Sequence, residues 1–158
     1  MGKRSIHDWL NEYGESHQNA TNELIHWVCV PVIYFCVIGL LWSIPVPEIQ
    51  YVSGPGLIAK VALGLVLLGF YLPRSLTLML GMAAWSFFCV WLAQYLDARA
   101  PWPLWTICAF LFVVAWIGQF YGHKVEGKKP SFLKDLQFLL IGPAWLMSFI
   151  YRRLGIPY

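Results

Sequence analysis

An all-α, integral membrane helical bundle is the fold class this sequence predicts, on three observations. First, 59% of the 158 residues are apolar and only 12% are charged, against roughly 45–50% and about a quarter in an average soluble domain. Second, the mean hydropathy is +0.60. Third, the apolar residues gather into runs near the ~20 residues that a helix needs to cross ~30 Å of hydrocarbon. The same figures exclude disorder, a coiled coil, a collagen-like repeat and an ordinary soluble globule. The length fits one membrane domain, 1–158.

The elements follow in order. Residues 4–18 carry Ile6, Trp9, Leu10 and Tyr13 at i, i+3, i+4, i+7 spacing, with Asp8, Glu12 and Glu15 as polar counterparts. That pattern predicts a short amphipathic helix lying in the membrane interface. About four transmembrane helices are expected, at 24–44, 55–72, 76–96 and 102–122. The second is short and carries Lys60 near its start, where the ammonium can snorkel to the interface. Pro45-Val46-Pro47, Ser53-Gly54-Pro55-Gly56, Pro73-Arg74 and Pro101-Trp102-Pro103 punctuate the joins. A short fifth helix is expected at 134–152. Its apolar part, Leu136 to Tyr151, is interrupted by Gly142-Pro143 and at ~16 residues is short for a span. A broken, re-entrant or interfacial helix each fits it.

Lys3 and Arg4 are followed by Asp8, Asn11, Glu12 and Glu15 rather than by an apolar core, so the N-terminus does not read as a signal peptide. Ile6 stands where a myristoylation motif requires Ser or Thr. The first hydrophobic helix is therefore expected to be its own insertion signal. Cys29, Cys36, Cys89 and Cys108 lie in apolar runs without a CxxC and read as small buried apolar residues. The formal charge of +3, with no basic stripe, argues against a nucleic-acid partner. With four spans, Lys3, Arg4, Arg74, Lys124, Lys128, Lys129 and Lys134 fall on one side and Lys60 and Arg99 on the other. Seven against two puts the N-terminus in the cytoplasm. A bacterial inner membrane is favoured, or the endoplasmic reticulum for a eukaryotic source.

This topology brings two polar clusters to one membrane face. Tyr13, His17, Asn19, Asn22, Glu23 and His26 lead into the first span; Gln119, His123, Glu126 and Lys128 leave the fourth. Polar groups at that depth are costly unless they pair, line water or bind something. Asn22 and His26 are four apart, as are Gln119 and His123, so each pair shares a helix face. Three imidazoles and a carboxylate can converge there, a donor set that suits Fe, Zn or Cu. With open positions it suits non-haem Fe(II) that must bind both a substrate and O₂. His7, beside Asp8 on the surface helix, reads as solvated. Gly118 and Gly122 form a GxxxG suited to close helix packing. The run Lys124 to Lys134 reads first as a topology determinant, and second as an attractor for an acidic, lipid-like substrate.

Tyr13-Gly14-Glu15-Ser16-His17-Gln18-Asn19-Ala20-Thr21-Asn22-Glu23-Leu24-Ile25-His26, ending at Pro31, resembles the Y-x3-H-x4-N-x3-H-x4-P signature of one small membrane family. Trp116-Ile117-Gly118-Gln119-Phe120-Tyr121-Gly122-His123-Lys124-Val125-Glu126-Gly127, with Lys129-Pro130, resembles its W-x2-Q-F-x-G-H-x2-E-G-x2-P signature, and Leu140-Ile141-Gly142-Pro143 its closing L-I-G-P. This is the membrane 2-hydroxy fatty acid dioxygenase (2-hydroxypalmitate dioxygenase-like) family, once a domain of unknown function. Val30 stands before Pro31 where many members have Gly. The middle two helices match only in hydropathy.

The resemblance implies an Fe(II)-dependent enzyme of fatty acid α-oxidation, with O₂ as co-substrate and a 2-hydroxy long-chain fatty acid as substrate. The product is the acid one carbon shorter, with CO₂ and water. It implies His17, His26 and His123 as metal ligands and assigns its other polar positions to Asn22, Gln119 and Glu126. Glu126 is a further ligand, an orienting partner or a general base. Lys124, Lys128 and Tyr13 are the expected substrate-binding residues, with Lys124 or Lys128 pairing with the substrate carboxylate, and the acyl chain would lie between helices. No electron-transfer partner is required, in keeping with the lack of a dinucleotide fingerprint. Membrane lipid is the other expected partner. Competing readings are a haem protein with axial His ligands, a transporter and a scaffold without chemistry. A membrane desaturase would need about twice the four histidines present.

Overall fold

The computed structural model describes residues 5–46, 54–127 and 139–158, and all regular structure among them is helical. Helix α1 spans Ile6–Gly14. Ser5 opens it with a capping box: its Oγ accepts the Asp8 N–H, and the Asp8 carboxylate accepts the Ser5 N–H. Helix α2, Ala20–Trp42, is capped by Asn19, whose Oδ1 accepts from the N–H groups of Thr21 and Asn22. Helix α3, Leu57–Leu65, widens into a π-helical segment, Val66–Tyr71. Helix α4 is Leu76–Arg99, capped by Ser75. Helix α5 is Leu104–Glu126 and α6 is Ile141–Leu154.

Helices α2, α4 and α5 are long and apolar enough to cross a membrane. Leu57–Tyr71 is shorter, about 22 Å at 1.5 Å per residue. Large apolar side chains such as Leu68, Phe87, Trp91, Phe110 and Ile117 are exposed, as a lipid-facing surface requires.

Helices α2 and α5 form the most intimate pair, and small residues set their approach. A Cβ added at Gly39 would lie 2.3 Å from Cys108 Sγ, one at Gly118 2.8 Å from Cys29 Sγ, and one at Gly122 2.3 Å from Asn22 Oδ1. Positions that rise along α2 meet positions that fall along α5, so the pair is antiparallel. Gly118 and Gly122 do the work expected of a GxxxG.

Two elements sit otherwise than their patterns alone indicate. The stripe of α1 faces protein: Ile6, Leu10 and Tyr13 are buried and α1 packs on α6. An amphipathic stripe has the same spacing whether lipid or protein covers it. In α6, Gly142 and Pro143 lie in the first turn, where a missing N–H removes no helical bond, so they begin the helix instead of breaking it. Residues 134–138 of the expected fifth helix lie outside the described residues. Gly142 abuts Tyr13 and Val30. At the other end Tyr151 Oη, packed over Gly81, donates to the Thr77 carbonyl at 2.7 Å. Both ends of α6 thus lie in the half of the bundle that holds the first turns of α2 and α4.

Candidate metal centre

The α1–α2 turn, the first two turns of α2 and the last turns of α5 meet at one end of the bundle. His17 comes from the turn, His26 from α2 and His123 from α5. All three are buried, His26 completely. One ligand nitrogen from each lies within 4.8 Å of the others. Ring centroids are 4.2 Å apart for His17–His26, 5.4 Å for His17–His123 and 5.1 Å for His26–His123.

Backbone carbonyls set two of the rings. His17 Nδ1 is 2.6 Å from the Tyr13 carbonyl and His26 Nδ1 is 2.9 Å from the Asn22 carbonyl. A carbonyl can only accept, so each Nδ1 carries the proton and each Nε2 presents its lone pair. This is the arrangement by which proteins orient a ligating histidine. His26 Nε2 is buried with no hydrogen-bond partner; Gln119 faces the ring without completing a bond to that atom.

The donor set fits a transition metal. An ion about 2.1 Å from each nitrogen would hold the ring centroids about 4.5–5.2 Å apart for angles between ninety degrees and tetrahedral. The His26–His123 distance falls inside that range, His17–His26 is slightly shorter and His17–His123 slightly longer. Two axial imidazoles on opposite faces of a haem would stand about 6.3 Å apart by the same bond length, farther than any pair here.

Tyr13 stacks on His17 at 4.2 Å and 14°, and Trp145 of α6 approaches both rings at 5.3 Å. Asn22 is fully buried and its Nδ2 donates to the Ser16 carbonyl and to Glu126 Oε2, at 3.2 and 3.1 Å. Glu126 lies outside the trio. Its Oε1 accepts the Gln18 N–H at 3.0 Å and its Oε2 the Asn19 N–H at 2.9 Å. The carboxylate that ends α5 thus sits on the free N–H groups that lead into α2, where a helix start favours negative charge.

Gln119 lines a cavity of about 30 Å³ with Tyr13, Val30, Ile33, Trp116 and Gly142. On the other side, His17, Trp145, Glu15, Gln18 and Arg152 line an open polar groove between α1 and α6. Lys124 is exposed; one residue past His123, its side chain leaves the helix about 100° away. Lys128 lies outside the described residues. Trp145 and Gly142 are site residues that spacing alone does not reveal. Their signal was the Leu140-Ile141-Gly142-Pro143 motif, which carries no titratable group.

An apolar-surfaced helical bundle with spanning helices and three buried imidazoles at one end defines a class: membrane proteins with a metal-competent histidine centre. Within that class the family is shown. The sequence matches the 2-hydroxy-palmitic acid dioxygenase Mpo1-like family over residues 3–154, and the chain belongs to it. No curated protein and no solved structure matches the chain.

Proposed function

We propose that this protein is an Fe(II)-dependent dioxygenase that converts a 2-hydroxy long-chain fatty acid and O₂ into the acid one carbon shorter, CO₂ and water. Family membership names the substrate class. The observation that carries the metal assignment is the trio of buried imidazoles, two of them held through Nδ1 by backbone carbonyls. His17, His26 and His123 would hold the iron. When bound, iron would supply the redox and Lewis-acid chemistry that couples O₂ to the hydroxy acid.

The remaining residues prepare the site. The Tyr13 and Asn22 carbonyls orient the His17 and His26 rings. Glu126 is a positioning residue: it holds the turn that carries His17 and, through Asn22, the helix that carries His26. Gln119 offers an amide donor at the mouth of the cavity for the substrate hydroxyl or carboxylate. Tyr13 and Trp145 pack against the His17 ring and hold it beside the polar groove. Arg152, on the polar groove that His17 reaches, supplies positive charge on the approach of a carboxylate.

The test is metal content and turnover of anaerobically purified protein after Fe(II) reconstitution. Near-stoichiometric iron and O₂-dependent release of CO₂ from 2-hydroxypalmitate are expected. Substituting His17, His26 or His123 with Ala should remove both. Iron content and activity unchanged in all three variants would sink the assignment.

A further inference from the structure

We propose that the alkyl chain of the substrate lies in a defined groove between α2 and α3, entered beneath the start of α6, and that this groove measures chain length. The proposal rests on the dioxygenase reading and adds where the tail goes.

The groove is the continuation of the cavity next to the histidines. That cavity has a polar end, with Tyr13, Gln119 and Trp116, and an apolar wall at Val30 and Ile33. A second cavity of about 70 Å³ lies farther along α2, lined by apolar surface from Tyr34, Val37 and Leu41 on one side and Ala62, Leu63 and Val66 on the other. Leu139 lines both. Val30, Ile33, Tyr34, Val37 and Leu41 recur at three- and four-residue intervals, so they form one face of α2. The two cavities share that face and a common wall residue.

The backbone between the two cavities is fixed by a hydrogen bond. Tyr71, fully buried at the end of the π-helical segment, donates through Oη to the Leu140 carbonyl at 2.5 Å. That bond pins the backbone beside Leu139 between the two cavities. A π-segment is a frequent mark of a functional position in a helix.

Chemistry selects the occupant. One end offers hydroxyl, amide and indole groups beside the metal ligands; the other exposes no polar surface. A 2-hydroxy acid has the same polarity profile. From Val30 to Leu41 the α2 face runs about 16 Å at 1.5 Å per residue, comparable with an extended alkyl chain of about 13 carbons. Because the groove is defined on both sides, its far end is set by Leu41 and Ala62, and bulk added there shortens it.

The experiment compares kcat/KM for 2-hydroxypalmitate and 2-hydroxydecanoate in the iron-loaded wild type, Ala62→Phe and Leu68→Phe. Leu68 is exposed to lipid on the same element and does not line the groove, so its variant should keep the wild-type ratio. Ala62→Phe should lower the long-to-short ratio at least tenfold, as expected when about two methylenes lose burial worth about fourfold each. In parallel, the wild type in lipid vesicles, without iron, is photolabelled with a 2-hydroxy fatty acid carrying a diazirine near its tail. Labelling of α2 and α3 at Val37, Leu41, Ala62 or Leu63 that unlabelled 2-hydroxypalmitate displaces supports the groove. Labelling there that unlabelled 2-hydroxypalmitate does not displace assigns it to bulk lipid and overturns the proposal. Turnover with an unmoved ratio in Ala62→Phe, and label elsewhere, overturns the groove and leaves the dioxygenase reading standing. Displaceable label in the groove with no turnover in the wild type keeps the groove and removes the reading.

Discussion

At the scale of single residues, the site depends on which hydrogen bonds are already taken. His17 and His26 each use Nδ1 on a carbonyl four residues earlier, so the local backbone, a turn for one and a helix for the other, orients the ligand. Glu126 has both oxygens on N–H donors from residues 18, 19 and 22. Glu126→Gln keeps the size but leaves one oxygen for three donors, and its NH₂ then faces a backbone N–H. The expected cost is about 1–3 kcal/mol of stability and, because the turn holding His17 loosens, about 10–100-fold in iron affinity. A thermal melt in detergent and a competitive Fe(II) titration measure the two. Unchanged iron affinity beside a lower melting temperature would make Glu126 a stability residue alone. The histidines were legible in the sequence because imidazoles in apolar helices stand out. The role of Glu126 was not. A carboxylate three residues from a histidine reads equally as ligand, base or clamp until its partners are in place.

At the scale of elements, the α2–α5 seam decides whether the two halves of the site meet. Gly122 has Asn22 Oδ1 where its Cβ would be, at 2.3 Å, and Asn22 is buried and tied to Ser16 and Glu126, so it cannot swing away. Gly122→Ala is expected to cost about 1–3 kcal/mol by overpacking and to lower iron content. Gly64, with open space around its missing Cβ, is the contrast: Gly64→Ala should be neutral or stabilise by up to about 1 kcal/mol through helix propensity. Chemical unfolding in mixed micelles with iron analysis checks both. Equal effects would mean that helix propensity, rather than the Asn22 contact, governs the seam. The seam was legible as a GxxxG, and the spanning runs as hydropathy. The contact that covers α1 was not, because α6 supplies it from more than a hundred residues away. Trp145 and the groove past Leu139 were hidden for the same reason.

At the scale of the whole molecule, α6 bears on the orientation in the membrane. Basic residues near the spans set topology, and Arg152 and Arg153, in the last turn of α6, add to that count. The structure places the start of α6 against Tyr13 and Val30 and its end at Thr77 and Gly81, so the helix returns to the face where α2 and α4 begin. Added to the seven residues expected on that side from the sequence (Lys3, Arg4, Arg74, Lys124, Lys128, Lys129 and Lys134), both arginines bring the expected basic count of that face to nine against Lys60 and Arg99. The histidine centre lies at this same face, so we predict that it is reached from the cytoplasm. The labelling test uses a Cys29→Ala background, since Cys29 is half-buried while Cys36, Cys89 and Cys108 are wholly buried. Cysteine introduced at Arg153 should resist a membrane-impermeant maleimide in sealed vesicles of native orientation and react only after permeabilisation. Cysteine at Arg99 should react before it. The reverse pattern would invert the bundle and open the site to the opposite compartment, and reaction of both on one side would require α6 to cross the membrane.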